Sequence, residues 1–106
     1  MNETLTLLCT CPDQETAERL ARGMVENRHA ACVNILPNIR SIYRWQDETK
    51  EQEEVLMVVK TTSEHFFVIE HWLEEHHPYD VPELVALKAE HVADAYLQWL
   101  RETVVI

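Results

Sequence analysis

Three thiols and a pair of neighbouring imidazoles are the groups in this chain best suited to chemistry. His76 and His77 stand side by side ahead of Pro78-Tyr79-Asp80-Val81-Pro82-Glu83. Cys9 and Cys11 lie two apart in a run that reads as a strand, so both face one side, about 7 Å apart along the backbone. Thiolate with imidazole suits Cu(I), Zn(II) or Cu(II). The same residues have an inert reading. Cysteine is among the most buried residue types, and a histidine at a helix C-terminus is favoured by the helix dipole without any metal. Cys32 opens a later apolar run and reads as core, and the chain has no Cys-x-x-Cys of the kind that heavy-metal chaperones use.

The elements that must position these groups follow from periodicity. Leu5, Leu7, Cys9 and Cys11 alternate with Thr4, Thr6, Leu8 and Thr10, a strand pattern. Pro12-Asp13 ends that strand and opens a helix in which Ala17, Leu20, Ala21, Met24 and Val25 form the apolar stripe. Gly23, the only glycine, falls inside this helix and predicts close packing against a neighbouring backbone. A long strand reads from Ala30 to Trp45, with a bend or bulge at Pro37-Asn38. Asp47-Glu48-Thr49-Lys50 reads as the turn, and Val55 to Thr61 as the returning arm of a hairpin. Ser63 is the expected N-cap of a second helix with Phe66, Ile69 and Leu73 on its buried side. Proline disfavours the α region in the residue before it, so this helix ends at about His76, and a strand at Leu84–Lys88 follows the two prolines. A last helix, Ala93 to Glu102, carries Tyr96, Trp99 and Leu100.

The order β-α-β-β-α-β with one added helix predicts an α+β, ferredoxin-like sandwich in a single domain spanning residues 1–106. The hairpin exceeds the usual strand of about 5 or 6 residues. Its outer half would expose edges unless another chain pairs with it, which predicts an oligomer built through strand pairing.

Several stretches, taken in order and spacing, resemble the CutA family of divalent-cation tolerance proteins. They are Leu8-Cys9-Thr10 with Pro12-Asp13, Ala30-Ala31-Cys32-Val33-Asn34 with Leu36-Pro37, and Ile42-Tyr43-Arg44-Trp45. Leu56 to Lys60 with Thr61-Thr62 follow, then His76-Pro78-Tyr79-Pro82-Glu83 and Tyr96-Leu97-Trp99-Leu100. The resemblance covers nearly the whole chain. It implies a ferredoxin-like fold, a homotrimer with strands continuing between subunits, and a role in tolerance of copper and other divalent metals. It also implies Cys9, His76 and His77 as copper ligands, with zinc as another candidate ion. Where that family commonly has glycine, this chain has Asn38 and Asp47, types that tolerate left-handed geometry. Cys11 replaces a small residue.

The bulk composition narrows the alternatives. Nine basic against nineteen acidic residues give a formal net charge of −10, which excludes the basic face that nucleic acid or anionic membranes demand. No apolar run approaches the roughly 20 residues of a membrane span, and Met1-Asn2-Glu3 lacks the basic start of a signal peptide. Three cysteines without framework spacing fit a reducing compartment, so the expected location is the cytoplasm. One glycine leaves no phosphate cradle, and no serine sits in a nucleophile elbow, so the chain does not read as an enzyme. Lys60, Glu83 and Tyr79 could line a cleft between subunits, and Lys60 could equally pair with Glu83. A second function class is a trimeric signalling module of the PII type, holding a small anion where Lys60 and Arg44 converge. Two further groupings carry paired readings. The run Asp47, Glu48, Glu51, Glu53, Glu54 could attract hard cations but lacks the glycine and alternating oxygen ligands of a calcium loop, and reads rather as a solvated tip; Tyr43, Trp45, Tyr96 and Trp99 read as a stacking pocket or as core and interface.

Overall fold

The computed structural model describes residues 2–104. Strand β1 (Thr4–Cys11) is followed by helix α1 (Gln14–Glu26), a hairpin of β2 (Cys32–Trp45) and β3 (Glu48–Thr62), a 3-10 turn (Ser63–His65), α2 (Phe66–His76), β4 (Val85–Lys88) and α3 (Asp94–Thr103). The strands form one antiparallel sheet in the order β2-β3-β1-β4. This is the arrangement expected for a split βαβ.

Period-two alternation in β1 and β3 meets helical stripes in α1 and α2. Leu5, Leu7, Cys9 and Cys11 from β1 and Val55, Met57 and Val59 from β3 pack with Ala17, Leu20, Met24, Ile69 and Leu73 in one core. Ala31, Leu100 and Val104 form a separate small cluster that seats α3. Asp13 caps α1, its carboxylate accepting from the Thr16 N–H at 2.8 Å. That bond holds the Asp13 carboxyl below its ordinary range.

The bulge falls where Pro37-Asn38 placed it: the β2–β3 register slips between Leu36 and Ile39, and Asn38 takes φ 61°. Other details differ from the sequence reading. The hairpin turns at Gln46-Asp47, both with positive φ, and Trp45 pairs directly with Glu48. A two-residue turn of this hand matches strand twist, so the pairing of Glu48, Thr49 and Lys50 extends the arm instead of forming a loop. Ala30 and Ala31 precede β2 and serve as buried packing residues. Ser63 starts the 3-10 turn rather than capping α2, and its hydroxyl accepts from the Glu3 N–H at 2.9 Å. Gly23 meets a side chain, not a backbone: a Cβ there would lie 2.5 Å from Trp72 Cζ2.

Candidate functional site

The end of β1, the exit of α2 and the middle of the hairpin converge. Cys9 and Cys11 occupy adjacent core-facing positions of β1 and are both fully buried. Hydrogen bonding to Cys11 and burial raise the Cys9 thiol far above the ordinary range. Cys11 moves the other way: the bond from Cys9, reinforced by His77, makes it the member of the pair that ionises more readily.

His77 ends α2 in an extended conformation, φ −79° and ψ 138°, as the proline after it requires. Its ring is buried, with Nε2 2.8 Å from the Thr10 carbonyl and Nδ1 3.1 Å from the Tyr79 N–H. A backbone N–H only donates, so Nδ1 accepts and Nε2–H donates to Thr10. The imidazole thereby fastens the 78–83 turn to the end of β1. His76 turns away. Its Nδ1 lies 2.7 Å from the Trp72 carbonyl and its ring stacks on the Trp72 indole at 4.2 Å and 18°. Arg19 reaches the His76 carbonyl from α1 with both terminal nitrogens at 3.4 Å.

The structure therefore brings Cys9, Cys11 and His77 into one neighbourhood and sends His76 to another face. His77 leaves the helical path as the following proline requires, and that departure carries the two rings apart. Among the described residues, no three His, Cys, Asp or Glu side chains are grouped closely enough to hold a metal ion. The donor set as folded does not fit a metal shared by Cys9, His76 and His77, because both His77 nitrogens are engaged and Cys9 is sealed in the core.

On the other side of β1, where Thr10 points, lies a cavity of about 670 Å³. Tyr43 and Trp45 of the hairpin face Tyr79, Asp80 and Glu83 of the turn across it. Glu54 belongs to its wall and is only 6% exposed, accepting a hydrogen bond from the Tyr79 hydroxyl at 2.6 Å. Burial, then the bond to Glu54 and its charge, push the Tyr79 phenol well above the usual range. Burial first and the Glu54 charge second raise the Glu83 carboxyl above 4.5, against a hydrogen bond with Thr10.

The sequence reading assigns Glu54 to the solvated tip and misses the Glu54–Tyr79 pair. The signal is present in the parity of β3. Counting back from Val55, Met57 and Val59 puts Glu54 on the opposite face, the one Thr10 shares, one residue past the Cys11–Val55 pair at the end of β1 rather than at the distant turn.

The remaining candidates disperse. Lys60 bonds the Asn34 side chain rather than Glu83, and Arg44 donates to the Asp47 carbonyl at 3.2 Å. They sit at opposite ends of the hairpin ladder, opposite Cys32 and Thr49 respectively, and do not converge in one protomer. Of the four aromatic residues, Tyr43 and Trp45 line the cavity, while Tyr96 and Trp99 pair with each other on α3 at 5.3 Å.

The sequence model of the family described as CutA1 divalent ion tolerance protein matches residues 5–103. The chain belongs to that family. It is 48% identical over 96 residues to the divalent-cation tolerance protein CutA of Thermus thermophilus, covering 91% of this chain and 93% of that one. The solved structure of the divalent cation tolerance protein (Cut A1) from the same organism superposes with a TM-score of 0.93 at 46% identity, covering 99% of this chain and 100% of that chain. The structure titled periplasmic divalent cation tolerance protein CutA, from Archaeoglobus fulgidus, superposes at 0.93 with 35% identity, covering 96% of this chain and 99% of that chain. The CutA1 family is named for tolerance of divalent ions and not for a reaction. No helix among the described residues is long and apolar enough to cross a membrane.

Proposed function

We propose that this CutA1-family chain supports divalent-cation tolerance as a cytoplasmic homotrimer that sequesters or senses metal rather than turning over a substrate. Family membership across residues 5–103 carries the reading. The trimer rests on the sheet's two unpaired edges, β2 and β4. Val85 and Leu87 on β4 and Ile42 and Trp45 on the outer hairpin are all exposed, and pairing one edge with the other edge of the next copy generates a closed ring. Three free cysteines support a reducing compartment.

Copper, or zinc as a related divalent ion, with Cys9, His76 and His77 as donors, is the finer reading. For these residues to join, His77 must release the Thr10 carbonyl, and the turn it fastens must move. Metal uptake at this set is therefore coupled to a rearrangement of the 78–83 turn. The test is native mass spectrometry of the untagged, reduced protein titrated with copper, beside the Cys9→Ser/His76→Ala/His77→Ala variant. A trimer with fixed metal stoichiometry that the variant loses supports the assignment. Graded uptake, equal in both proteins, removes it.

A further inference from the structure

Sulfur is concentrated at one point of the core. Cys9 and Cys11 both point from β1 into the core, and their side chains hydrogen-bond to each other. Met57 stands directly opposite Cys9 across the β1–β3 ladder and belongs to the same core. None of the three residues has any exposed surface. Directly paired residues on one sheet face lie about 4.5–5.5 Å apart at Cβ, which brings the flexible Met57 thioether within reach of the thiols. The group lies on the two inner strands of the sheet, away from its edges and from the outer hairpin. It is complete within one chain, and assembly leaves it untouched.

Spacing and donor type select what such a group can hold. Residues two apart on a strand are about 7 Å apart. That is at the limit for a disulfide, whose Cβ atoms must approach to about 3.8 Å. An ion held by two metal–sulfur bonds of about 2.3 Å, the zinc value, needs its sulfurs only roughly 4.6 Å apart. Zinc asks for four donors and calcium for oxygens, and among the described residues no third His, Cys, Asp or Glu completes a metal-holding group with the thiols. A sparse, all-sulfur set suits a soft closed-shell ion of the Cu(I) class.

We propose that Cys9, Cys11 and Met57 form a buried site for one ion of that class. On binding, two S–H bonds break, two metal–thiolate bonds form, and both protons leave to solvent. The Met57 thioether supplies a third, weaker contact. His77, in hydrogen-bonding contact with Cys11, faces the negative charge that remains. Cys11 is the last residue of β1, and the 78–83 turn is fastened beside it through His77, so opening of that turn is the way in. The opening is transient, and the His77 bonds re-form around the loaded site. The set shares Cys9 with the Cys9/His76/His77 reading and differs from it in every other donor.

The test is anaerobic titration of the reduced, assembled Cys32→Ser protein with Cu(I) held by bathocuproine disulfonate, read by loss of the chelate's colour. Removing Cys32 takes away the one partly exposed thiol. The expected result is one Cu(I) withdrawn per chain, and none when Cys11→Ala is added. Met57→Leu, which conserves volume, should weaken uptake by about tenfold. His76→Ala should leave it unchanged, whereas a site built on His76 would lose it. Cys11→Ala removes a single atom, and circular dichroism verifies that each variant keeps the fold. Uptake that is absent in the parent, survives Cys11→Ala, is unmoved by Met57→Leu or disappears in His76→Ala overturns the proposal.

Discussion

Strands β2 and β3 run side by side along their whole length, yet their two halves live in different surroundings. In the inner half, alternate residues of β3 (Val55, Met57 and Val59) press into the core beneath α1 and α2. Beyond the bulge, the same ladder continues with no helix over it. Ile42 is 68% exposed, Tyr43 38% and Trp45 42%. Cross-strand polar contacts decorate this outer half, among them Arg40–Glu51 at 2.6 Å and the Tyr43 hydroxyl on the Gln52 side chain. Exposed pairs of this kind contribute little to stability. The inner half is held by burial, and the outer half leaves its large apolar side chains exposed in the single chain, where the proposed trimer would cover them.

The comparison can be broken at several points. The largest effect belongs to the inner half. Met57→Ala deletes a fully buried side chain and should lower unfolding stability by roughly 2–5 kcal/mol in urea titration. In the outer half, the double variant Ile42→Ser/Trp45→Ser should leave far-UV circular dichroism intact and, if the proposed trimer forms through this hairpin, shift the sedimentation profile from trimer to monomer. A variant that loses secondary structure while remaining assembled would reverse the assignment of the two halves. Gly23→Ala comes next, because its methyl group would collide with the Trp72 ring; about 1–3 kcal/mol is expected, read by the same titration. Tyr79→Phe, at the junction of the halves, leaves the buried Glu54 carboxylate short of a donor and should cost roughly 1–3 kcal/mol.

The smallest effects are those of pH, and they have opposite signs. Glu83 has a raised carboxyl, so its contribution to stability is present below 4.5 and is lost as pH climbs through the raised folded value. Asp13 has a lowered one, so its contribution is present above 3.8 and is lost as pH falls through the folded value. Stability measured against pH should flatten on the rising side in Glu83→Gln and on the acid side in Asp13→Asn.

The inner half is legible in the sequence because period two and period 3.6 both report burial, and burial is what holds that half. The bulge is legible because Pro37 cannot donate to the ladder. The turn is displaced because polar composition suggests a loop, whereas the strand pairing of Glu48 to Lys50 depends on Gln46 and Asp47 adopting positive φ, which no periodicity reports. The candidate site divides in the same way. That His77 leaves the helix follows from Pro78. The opposite directions of His76 and His77 depend on Trp72 and Thr10, residues remote from them in sequence or unmarked by type. Glu54 is concealed by its acidic neighbours, which share its chemistry but not its face.

Gly23 and Trp72 have a consequence for descent as well as for stability. The indole fills the space in which a side chain at position 23 would stand, and it also carries the stacked His76 ring. Neither residue can be exchanged freely while the other remains. Relatives that place alanine or a larger residue at the equivalent of 23 should carry a smaller or differently directed group at the equivalent of 72. Lineages should therefore change the two positions together, with the spacing between the helices as the inherited trait.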